Sequence, residues 1–293
     1  MSEQDRYIPG VPCWIDTTQP DPEAAVAFYG ELFGWEFENV MPPGSPGYHV
    51  ARIRGGDVAA VSAPPEGAPP MAVWNSYVWV TDADETAGKV RAAGGSVLME
   101  PFEVGPAGRM AVFADPAGAA FCVWRAGEHR GAQVVNEHAS LNFNNLHTRD
   151  VDGARSFYGA VFGWDLLGVG AGSMWALPGY GDLLEARTPG TRENMKKLGA
   201  PERFEDVVAS LNPIADDDAD TPAHWGVTFA VDDADAIAAR AAELGGNVIV
   251  APFDAPWVRM TIIADPQGAT FTASKFVPEN KDVGQTAGSA TAA

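Results

Sequence analysis

The chain has few cysteines and few basic residues, and it contains no long apolar run. Only Cys13 and Cys122 occur in 293 residues, too few for a disulfide framework, which favours a reducing, cytoplasmic location. Lysine and arginine number 19 against 39 acidic residues, giving a formal net charge of −20. Because this field repels nucleic acid and anionic membranes, we expect neither as a partner. No apolar segment approaches the roughly 20 residues of a membrane helix, and residues 1–6 lack the features of a signal peptide.

The sequence does contain an internal repeat. Residues 157–164 (FYGAVFGW) repeat residues 28–35 (FYGELFGW) almost letter for letter. A second motif, Asp-Pro-x-Gly, begins at Asp115 and again at Asp265, in the same order relative to the first motif. Two matched landmarks in the same order indicate a duplicated module. With 46% hydrophobic and 20% charged residues, each copy has enough apolar side chains for a core of its own.

Each module is predicted to contain two units of one strand, one helix and three further strands. In the first unit, residues 11–18 alternate as a strand, and Asp21 caps a helix that begins at Pro22 and ends at Gly34. The pattern recurs three times, and it predicts the last strand of the third unit at residues 182–186 and short helices at 195–198 and 202–208. The fold class is therefore α+β, with four tandem βαβββ units.

The repeat also predicts the domain boundaries. The first module is expected over residues 1–127, a linker over 128–139, and the second module over 140–277. The second copy is longer than the first, and its extra residues are predicted to form an insertion over 189–223. Residues 278–293 are polar and rich in small side chains, and they are predicted to be a disordered tail.

The four βαβββ units, the repeated helix end and the Asp-Pro-x-Gly turn resemble the vicinal oxygen chelate superfamily, which includes glyoxalase I, extradiol dioxygenases and bleomycin-resistance proteins. Residues 12–16, 108–110 and 114–116 are similar to two-module actinobacterial proteins related to the mycobacterial antigen CFP30B, which often carry the label hydroxylase or glyoxalase-like. The resemblance implies two curled, mixed β-sheet cups with helices outside. It implies little about activity, because this fold carries unlike activities.

Strand alternation predicts which side chains face each cup, and these are the expected ligand-binding positions. In the first cup they are Trp14, Asp16, Asn75, Tyr77, Trp79, Cys122 and Trp124. In the second they are Phe143, Asn145, His147, His224, Thr228 and Thr272, and the fourth-strand position that the resemblance implies adds Glu185. Asp16 and His147 are the candidate catalytic acid–base groups. For Asp16 a salt bridge, for instance to Arg109, is the alternative, and for Cys122 a packed thiol is favoured over a nucleophile.

The resemblance also implies where a metal would bind. Metal-bearing members place His, Gln or Glu on three or four inward positions. Those positions carry over to Trp14, Ala60, Asn75 and Cys122 in the first cup, and to Phe143, Glu185, Gly226 and Thr272 in the second. Only Glu185 is a good ligand, so we predict no metal and no cofactor. The alternative is a set of His147, His224 and Glu185 like that of non-haem iron oxygenases. His49, His129 and His138 are expected at the surface.

The aromatic side chains suggest the function. Trp14, Tyr77, Trp79 and Trp124 suit a flat ligand, so we predict a metal-free cup that binds a small apolar or aromatic metabolite for sequestration or carriage. The first alternative is aromatic core packing without a ligand. The second is a metal-independent tailoring enzyme of natural-product metabolism, and the third, which the ligand positions disfavour, is a metal-dependent lyase or dioxygenase. The expected partner is a small-molecule ligand, and the chain is expected to be a monomer or a homodimer.

Overall fold

The first half of the chain forms an eight-stranded mixed sheet. The computed structural model describes residues 6–42, 44–67, 70–169 and 172–283. The strands are β1 Pro12–Thr18, β2 Glu36–Asn39, β3 Tyr48–Ile53, β4 Gly56–Ser62, β5 Val73–Trp79, β6 Ser96–Val104, β7 Gly108–Ala114 and β8 Ala120–Ala126. Their order in the sheet is β2-β3-β4-β1-β5-β8-β7-β6. The β1–β4 and β5–β8 pairs are parallel, and the hairpin-connected neighbours are antiparallel.

The second half repeats this arrangement. Its strands are β9 Ser140–Thr148, β10 Asp165–Val169, β11 Gly172–Ala176, β12 Val207–Pro213, β13 His224–Ala230, β14 Asn247–Ala255, β15 Val258–Ala264 and β16 Thr270–Phe276. The order β10-β11-β12-β9-β13-β16-β15-β14 matches that of the first sheet, strand for strand. The prediction of an α+β fold built from tandem βαβββ units is therefore confirmed.

The described residues form the helices α1 Pro22–Phe33, α2 Ala83–Ala92, α3 Val151–Phe162, α4 Tyr180–Arg187, α5 Thr191–Leu198 and α6 Ala234–Glu243. Asp21 caps α1, as the sequence predicts, whereas α4 and α5 have no side-chain cap in the part of the chain that the structure describes. Asp21 accepts a hydrogen bond from the Ala24 amide at 3.1 Å, which satisfies a free donor of the first turn. Gly34 and Gly163 end α1 and α3 in the left-handed region, at φ 68° and 74°. No helix in the described residues is long and apolar enough to cross a bilayer.

The strand predicted at residues 182–186 is wrong, because these residues lie in α4. The strand that pairs with β9 is β12, with Ser210 opposite Asn145 and Asn212 opposite His147. The helix predicted over 202–208 is also wrong, because the helical part is only a 3-10 turn at Phe204–Asp206. At Val207 the chain becomes extended, since Val207 and the next valine are β-branched and favour a strand. The two additional helices, α4 and α5, thus lie between β11 and β12.

The contacts divide the chain into two units that do not coincide with the two sheets. One unit contains the segment up to Trp14 together with Asn75–Gly131 and Phe143–Gly226. The other contains Ile15–Trp74, Ala132–Asn142 and the segment from Val227 onward. The second βαβββ unit of the chain therefore groups with the third, and the first groups with the fourth. The predicted boundaries at 127 and 139 stay a prediction.

Each of these units has a core built around one buried tyrosine. In the unit that contains α3, the Tyr158 hydroxyl donates to Asp115 Oδ2 at 3.0 Å, and the Trp225 indole N–H donates to the Tyr158 oxygen at 2.8 Å. Burial, and then the negative charge of Asp115, raises the pKa of Tyr158 well above its usual value. The tyrosine therefore stays a neutral hydrogen-bond donor inside the core.

In the other unit Tyr29 takes the same role. Its hydroxyl donates to Asp265 Oδ2 at 2.8 Å and accepts from the Trp74 indole N–H at 3.2 Å. Asp265 Oδ2 also accepts from the Gln19 side-chain amide at 2.6 Å. The rings of Phe33, Trp35, Phe229 and Phe271 pack around this group, with centroids 5.0–5.8 Å apart between contacting pairs. The helix motif of one repeat thus contacts the Asp-Pro-x-Gly turn of the other.

Part of the predicted tail has regular structure. Pro278–Asp282 forms a 3-10 helix. The Asn280 side-chain amide donates to Asp254 Oδ1 at 3.0 Å and to the Val258 carbonyl at 3.1 Å, so this turn is fastened to β14 and β15. The rest of the predicted tail, residues 284–293, lies outside the described residues.

Candidate functional site

The aromatic residues predicted to line the first cup are buried in the structure. Trp14, Tyr77, Trp79 and Trp124 are between 2% and 7% exposed. The ring of His129 lies edge-on to Trp14, with centroids 4.4 Å apart, and 5.7 Å from the ring of Trp124. The Trp124 indole N–H donates to the His129 carbonyl at 3.0 Å. The predicted surface position of His129 is therefore wrong, because the start of the predicted linker folds onto two of these tryptophans.

Of the remaining candidates of the first sheet, Asp16 and Cys122 are also buried. Asp16 is 3% exposed and accepts a hydrogen bond from the Tyr48 hydroxyl at 3.0 Å. The alternative salt bridge to Arg109 is wrong, because that guanidinium makes a two-pronged contact with Asp84, at 2.8 Å for each prong. Cys122 is a buried cysteine that forms no disulfide, which agrees with the packed alternative. Asn75 lies half-buried on β5.

The second sheet presents a half-buried polar surface on three neighbouring strands. We call Asn145 and His147 of β9, Ser210 and Asn212 of β12, and His224 of β13 the histidine patch. The Ser210 hydroxyl donates to Asn145 Oδ1 at 2.6 Å, and the Asn212 amide donates to His147 Nε2 at 3.4 Å. Apart from the buried Asn145, its members are partly open to solvent.

The imidazoles of His147 and His224 are stacked face to face. Their centroids are 4.5 Å apart and their planes differ by 2°. His224 Nδ1 lies 2.9 Å from the Pro222 carbonyl, which only accepts, so Nδ1 carries the proton. Asn212 donates to His147 Nε2, which leaves the proton of that ring on Nδ1. The patch thus contains donors and acceptors in fixed positions.

Burial, followed by the charge of the neighbouring His224, lowers the pKa of His147 to about 4. At neutral pH its ring is therefore uncharged. An uncharged imidazole in a half-buried site can stack on an aromatic ring and hydrogen-bond to a neutral ligand without the desolvation cost of an ion.

Gly226 leaves space beside this ring. A Cβ atom built on Gly226 would lie 3.6 Å from His147 Nε2, at ordinary contact distance. A side chain at this position on β13 would therefore contact the edge of the His147 ring. The glycine leaves space beside this edge, where Nε2 accepts from Asn212.

Glu185 does not belong to this patch. It lies on α4, where its carboxylate accepts from the backbone amides of Gly190 at 2.8 Å and Arg192 at 3.0 Å. These backbone hydrogen bonds, the Arg192 amide first, lower the pKa of the carboxyl group. Its predicted place in the sheet is wrong because β12 supplies the fourth strand, and Ser210 occupies the position opposite Asn145. Glu185 instead closes the turn between α4 and α5.

The remaining predicted residues lie on the sheets as expected from strand alternation. Phe143 is half-buried on β9, on the same side of that strand as His147. Thr228 and Thr272 are paired across β13 and β16, and Thr228 is buried. His49 is on β3 with a side chain only 12% exposed, so its predicted surface position is wrong. The ligand-binding and catalytic roles of the predicted residues stay predictions.

The residues present do not fit the metal that the resemblance implies. With β12 in place, the equivalent positions hold Trp14, Ala60, Asn75 and Cys122 in one sheet, and Phe143, Ser210, Gly226 and Thr272 in the other. A histidine binds a metal through a nitrogen lone pair that lies in the plane of its ring. Because the rings of His147 and His224 lie in parallel, stacked planes, they cannot both direct a lone pair at one ion. Among the described residues, no three His, Cys, Asp or Glu side chains come together in a way that could hold an ion.

Comparison with known proteins gives the family. The model of the Glyoxalase/Bleomycin resistance protein/Dioxygenase superfamily matches residues 14–123 and again residues 139–272. The chain belongs to this superfamily. Both matches coincide with the two sheets, so the duplication consists of two modules of the superfamily, as the resemblance implies.

Two actinobacterial relatives are similar over most of their length. The chain is 38% identical over 290 residues to "Putative glyoxylase CFP32" of Mycobacterium tuberculosis, covering 95% of this chain and 100% of that protein. It is 37% identical over 280 residues to "Anthracycline biosynthesis protein DnrV" of Streptomyces peucetius, covering 91% and 94% respectively.

Solved structures with the same fold are more distant members of the superfamily. The 2,3-dioxygenase LapB of Pseudomonas sp. KL28 aligns with a TM-score of 0.58 at 12% identity, over 92% of this chain and 93% of that one. The Mn(II)-bound glyoxalase of Novosphingobium aromaticivorans aligns with a TM-score of 0.57 at 15% identity, over 91% and 82%. At these identities the likeness concerns the fold alone.

Sequence reasoning missed Ser210 and Asn212, although a signal for them exists. Residues 208–212 (VASLN) correspond to residues 58–62 of β4 (VAAVS), and the two are separated by as many positions as the two Asp-Pro-x-Gly turns. Extending the repeat search to this short segment identifies β12. It then places Ser210 and Asn212 beside β9.

Proposed function

We propose that the histidine patch binds a flat, oxygen-bearing organic metabolite without the help of a metal. The observation that carries this proposal is the parallel stack of His147 and His224, beside the space that Gly226 leaves. A planar ligand can extend such a stack, because offset aromatic stacking stabilises ring pairs by about 0.5–1.5 kcal/mol beyond area burial. The ligand site is thus on the second sheet.

The polar groups of the patch define the chemistry of the ligand. The Nδ1–H of His147 is a donor and the Nε2 of His224 is an acceptor. Hydroxyl and carbonyl groups on the rim of a planar ring system match this mixture. The similarity to DnrV supports this ligand class, since anthracyclines are flat, oxygenated polycyclic molecules. Sequestration or carriage of such a metabolite in the cytoplasm is the activity we propose.

Metal-independent tailoring of the ligand is a second candidate, favoured by the protonation state of His147. Its pKa of about 4 keeps the ring unprotonated at neutral pH, so its nitrogen can accept a proton. In such a step an acidic O–H or C–H bond of the bound ligand breaks, its electron pair stays on the ligand, and the proton moves to Nε2 of His147 in place of the hydrogen bond that Asn212 donates there. The low pKa makes this base weak, and only an already acidic group on the ligand is suitable.

Titration of the protein with 1,2-dihydroxyanthraquinone tests the proposal. The protein is first treated with a chelator, and binding is followed by calorimetry. We expect saturable binding that is weakened by Gly226→Ala and by His147→Gln, each roughly fivefold to tenfold, because about 1 kcal/mol of stacking or hydrogen bonding is lost. Gly168→Ala on β10 is the matched control, because a Cβ there meets nothing within 4 Å.

Two results would overturn the proposal. One is equal affinity for the wild type, Gly226→Ala and His147→Gln. The other is binding that disappears on chelation and returns with added manganese or iron, which would favour the metal-dependent alternative. Slow conversion of the bound probe, lost in His147→Gln, would instead support the tailoring activity.

A further inference from the structure

A cavity of about 570 Å³ lies at the C-terminal ends of β5 and β8, away from the predicted ligand positions apart from Trp79. We call it the arginine groove. Its apolar walls include Tyr7, Trp79 and Leu183, and Arg125, Arg130 and Arg187 also line it. Among the described residues that line it, none is acidic. This is unusual for a chain in which acidic residues outnumber basic ones by 39 to 19.

The apolar wall of the groove is held in place by backbone hydrogen bonds. The Gly10 amide donates to the Trp79 carbonyl at 2.9 Å, and the Trp79 amide donates to the Val11 carbonyl, also at 2.9 Å. The Trp164 indole N–H donates to the Gly10 carbonyl at 2.7 Å. Tyr7 is buried, and its ring lies 5.9 Å from the ring of Trp79. A wall fixed in this way costs little further ordering when a ligand binds.

The cationic wall is positioned by the chain itself. Arg125 contacts both carboxylate oxygens of Glu103 at 3.3 Å, and Arg187 donates to the carbonyl of Arg6. A guanidinium has five N–H donors, so an arginine held by a neighbouring group can still donate to a ligand. Three arginines thus line one cavity of a chain whose formal net charge is −20.

We propose that the arginine groove binds a small organic anion, a carboxylate attached to an apolar or aromatic body. Guanidinium groups bind carboxylates through paired, charge-assisted hydrogen bonds. The body of the ligand would lie against Tyr7, Trp79 and Leu183, where it buries apolar area. A polyanion fits less well, because the net charge of −20 repels a large negative ligand. The site is independent of the histidine patch and of the function proposed for it.

A matched pair of probes tests this site in the full-length protein. Calorimetric titration with 1-naphthoate should give saturable binding, and the neutral 1-naphthamide should bind at least roughly tenfold more weakly, because the charge-assisted hydrogen bonds are lost. Arg125→Gln and Arg187→Gln should each weaken naphthoate binding by roughly tenfold. Arg155→Gln is the control, since Arg155 is 60% exposed on α3 and pairs with Asp165.

Further variants separate binding in the arginine groove from binding elsewhere on the protein. Leu183→Trp narrows the groove while keeping every charge, so it should weaken naphthoate binding if the groove is the site. Gly226→Ala should leave naphthoate binding unchanged, because it alters only the histidine patch. The proposal is overturned if naphthoate does not bind saturably or binds no better than naphthamide. It is also overturned if Arg125→Gln behaves like Arg155→Gln, or if Gly226→Ala lowers the naphthoate affinity instead.

Discussion

The hydroxyl of Tyr158 lies 3.0 Å from Oδ2 of Asp115 and joins the helix motif of the second repeat to the turn motif of the first. Oδ1 of Asp115 meanwhile accepts from the amides of Ala117 and Ala119, so this carboxylate orders its own turn and also binds the tyrosine. Burial raises the pKa of Asp115. The two motifs that reveal the duplication in the sequence are therefore direct partners in the core.

Removing this hydroxyl should destabilise the fold. Tyr158→Phe leaves Asp115 Oδ2 and the Trp225 indole N–H without their buried partner, which costs about 1–3 kcal/mol. Urea unfolding measures the loss as a lower transition midpoint. Tyr180→Phe is the control, because the Tyr180 hydroxyl makes no hydrogen bond within the described part of the chain, and its midpoint should hardly change. Equal midpoints for the two variants would contradict this role of Tyr158.

Stability should fall in mildly acidic solution because of His147. Its pKa is lowered from 6.5 to about 4 in the folded state, so the unfolded chain binds the extra proton between these values. Above about pH 6.5, His147 is uncharged in both states and does not lower the free energy of unfolding. As the pH falls from 6.5 towards 4, proton binding to the unfolded chain lowers that free energy. Between pH 7 and pH 4, the wild type should lose about 2–3 kcal/mol more unfolding free energy than His147→Gln. Equal losses of unfolding free energy in the wild type and in His147→Gln would show that folding does not lower the pKa of His147.

Two equivalent glycines should differ in their tolerance of alanine. A Cβ on Gly95 would lie 2.6 Å from Phe157 Cε2 and 2.7 Å from the Ala114 carbonyl oxygen, whereas at Gly246 the nearest atom is the Ala241 carbonyl oxygen at 3.0 Å. Overpacking costs about 1–3 kcal/mol, so Gly95→Ala should be clearly less stable than Gly246→Ala by thermal unfolding. The reverse order would mean that the surroundings of Gly95 can move apart.

The metal content should be low. The superfamily's ligand positions hold Trp, Phe, Gly and other weak donors, so we expect far less than one equivalent of iron, zinc, nickel or manganese per chain after purification without added metal. Elemental analysis measures this directly. Near-stoichiometric metal that is lost in His147→Ala would contradict the prediction and restore the metal-dependent alternative.

Local signals in the sequence predict most of the fold. Asp21 and Gly34 mark the ends of α1 because capping depends on neighbouring residues alone. The apolar pair Leu183-Leu184 fits a strand or a helix equally, so the pattern alone does not identify α4. The structure resolves this ambiguity: β12 pairs with β9 as the fourth strand, and residues 182–186 lie in a helix.

The candidate site is less predictable, because it depends on contacts between distant residues. Alternation along β9 places His147 on the inner face, but only the register of β12 brings Asn212 to it. Composition likewise assigns His129 to a linker, whereas the burial of Trp14 draws its ring onto the sheet. The partner of Tyr158 cannot be predicted from local sequence either, because the sequences around Asp115 and Asp265 are almost identical.

The crosswise pairing of tyrosine and aspartate also sets an order for folding during synthesis. Asp115 emerges from the ribosome before Tyr158, so the first sheet lacks a core partner until α3 has been made. The first βαβββ unit waits longer, since Tyr29 bonds to Asp265, near the end of the chain. At about 5–20 residues per second, the bond between Tyr29 and Asp265 cannot form until many seconds after α1 has been made. The chain's earliest helix is thus among the last to complete its core contacts.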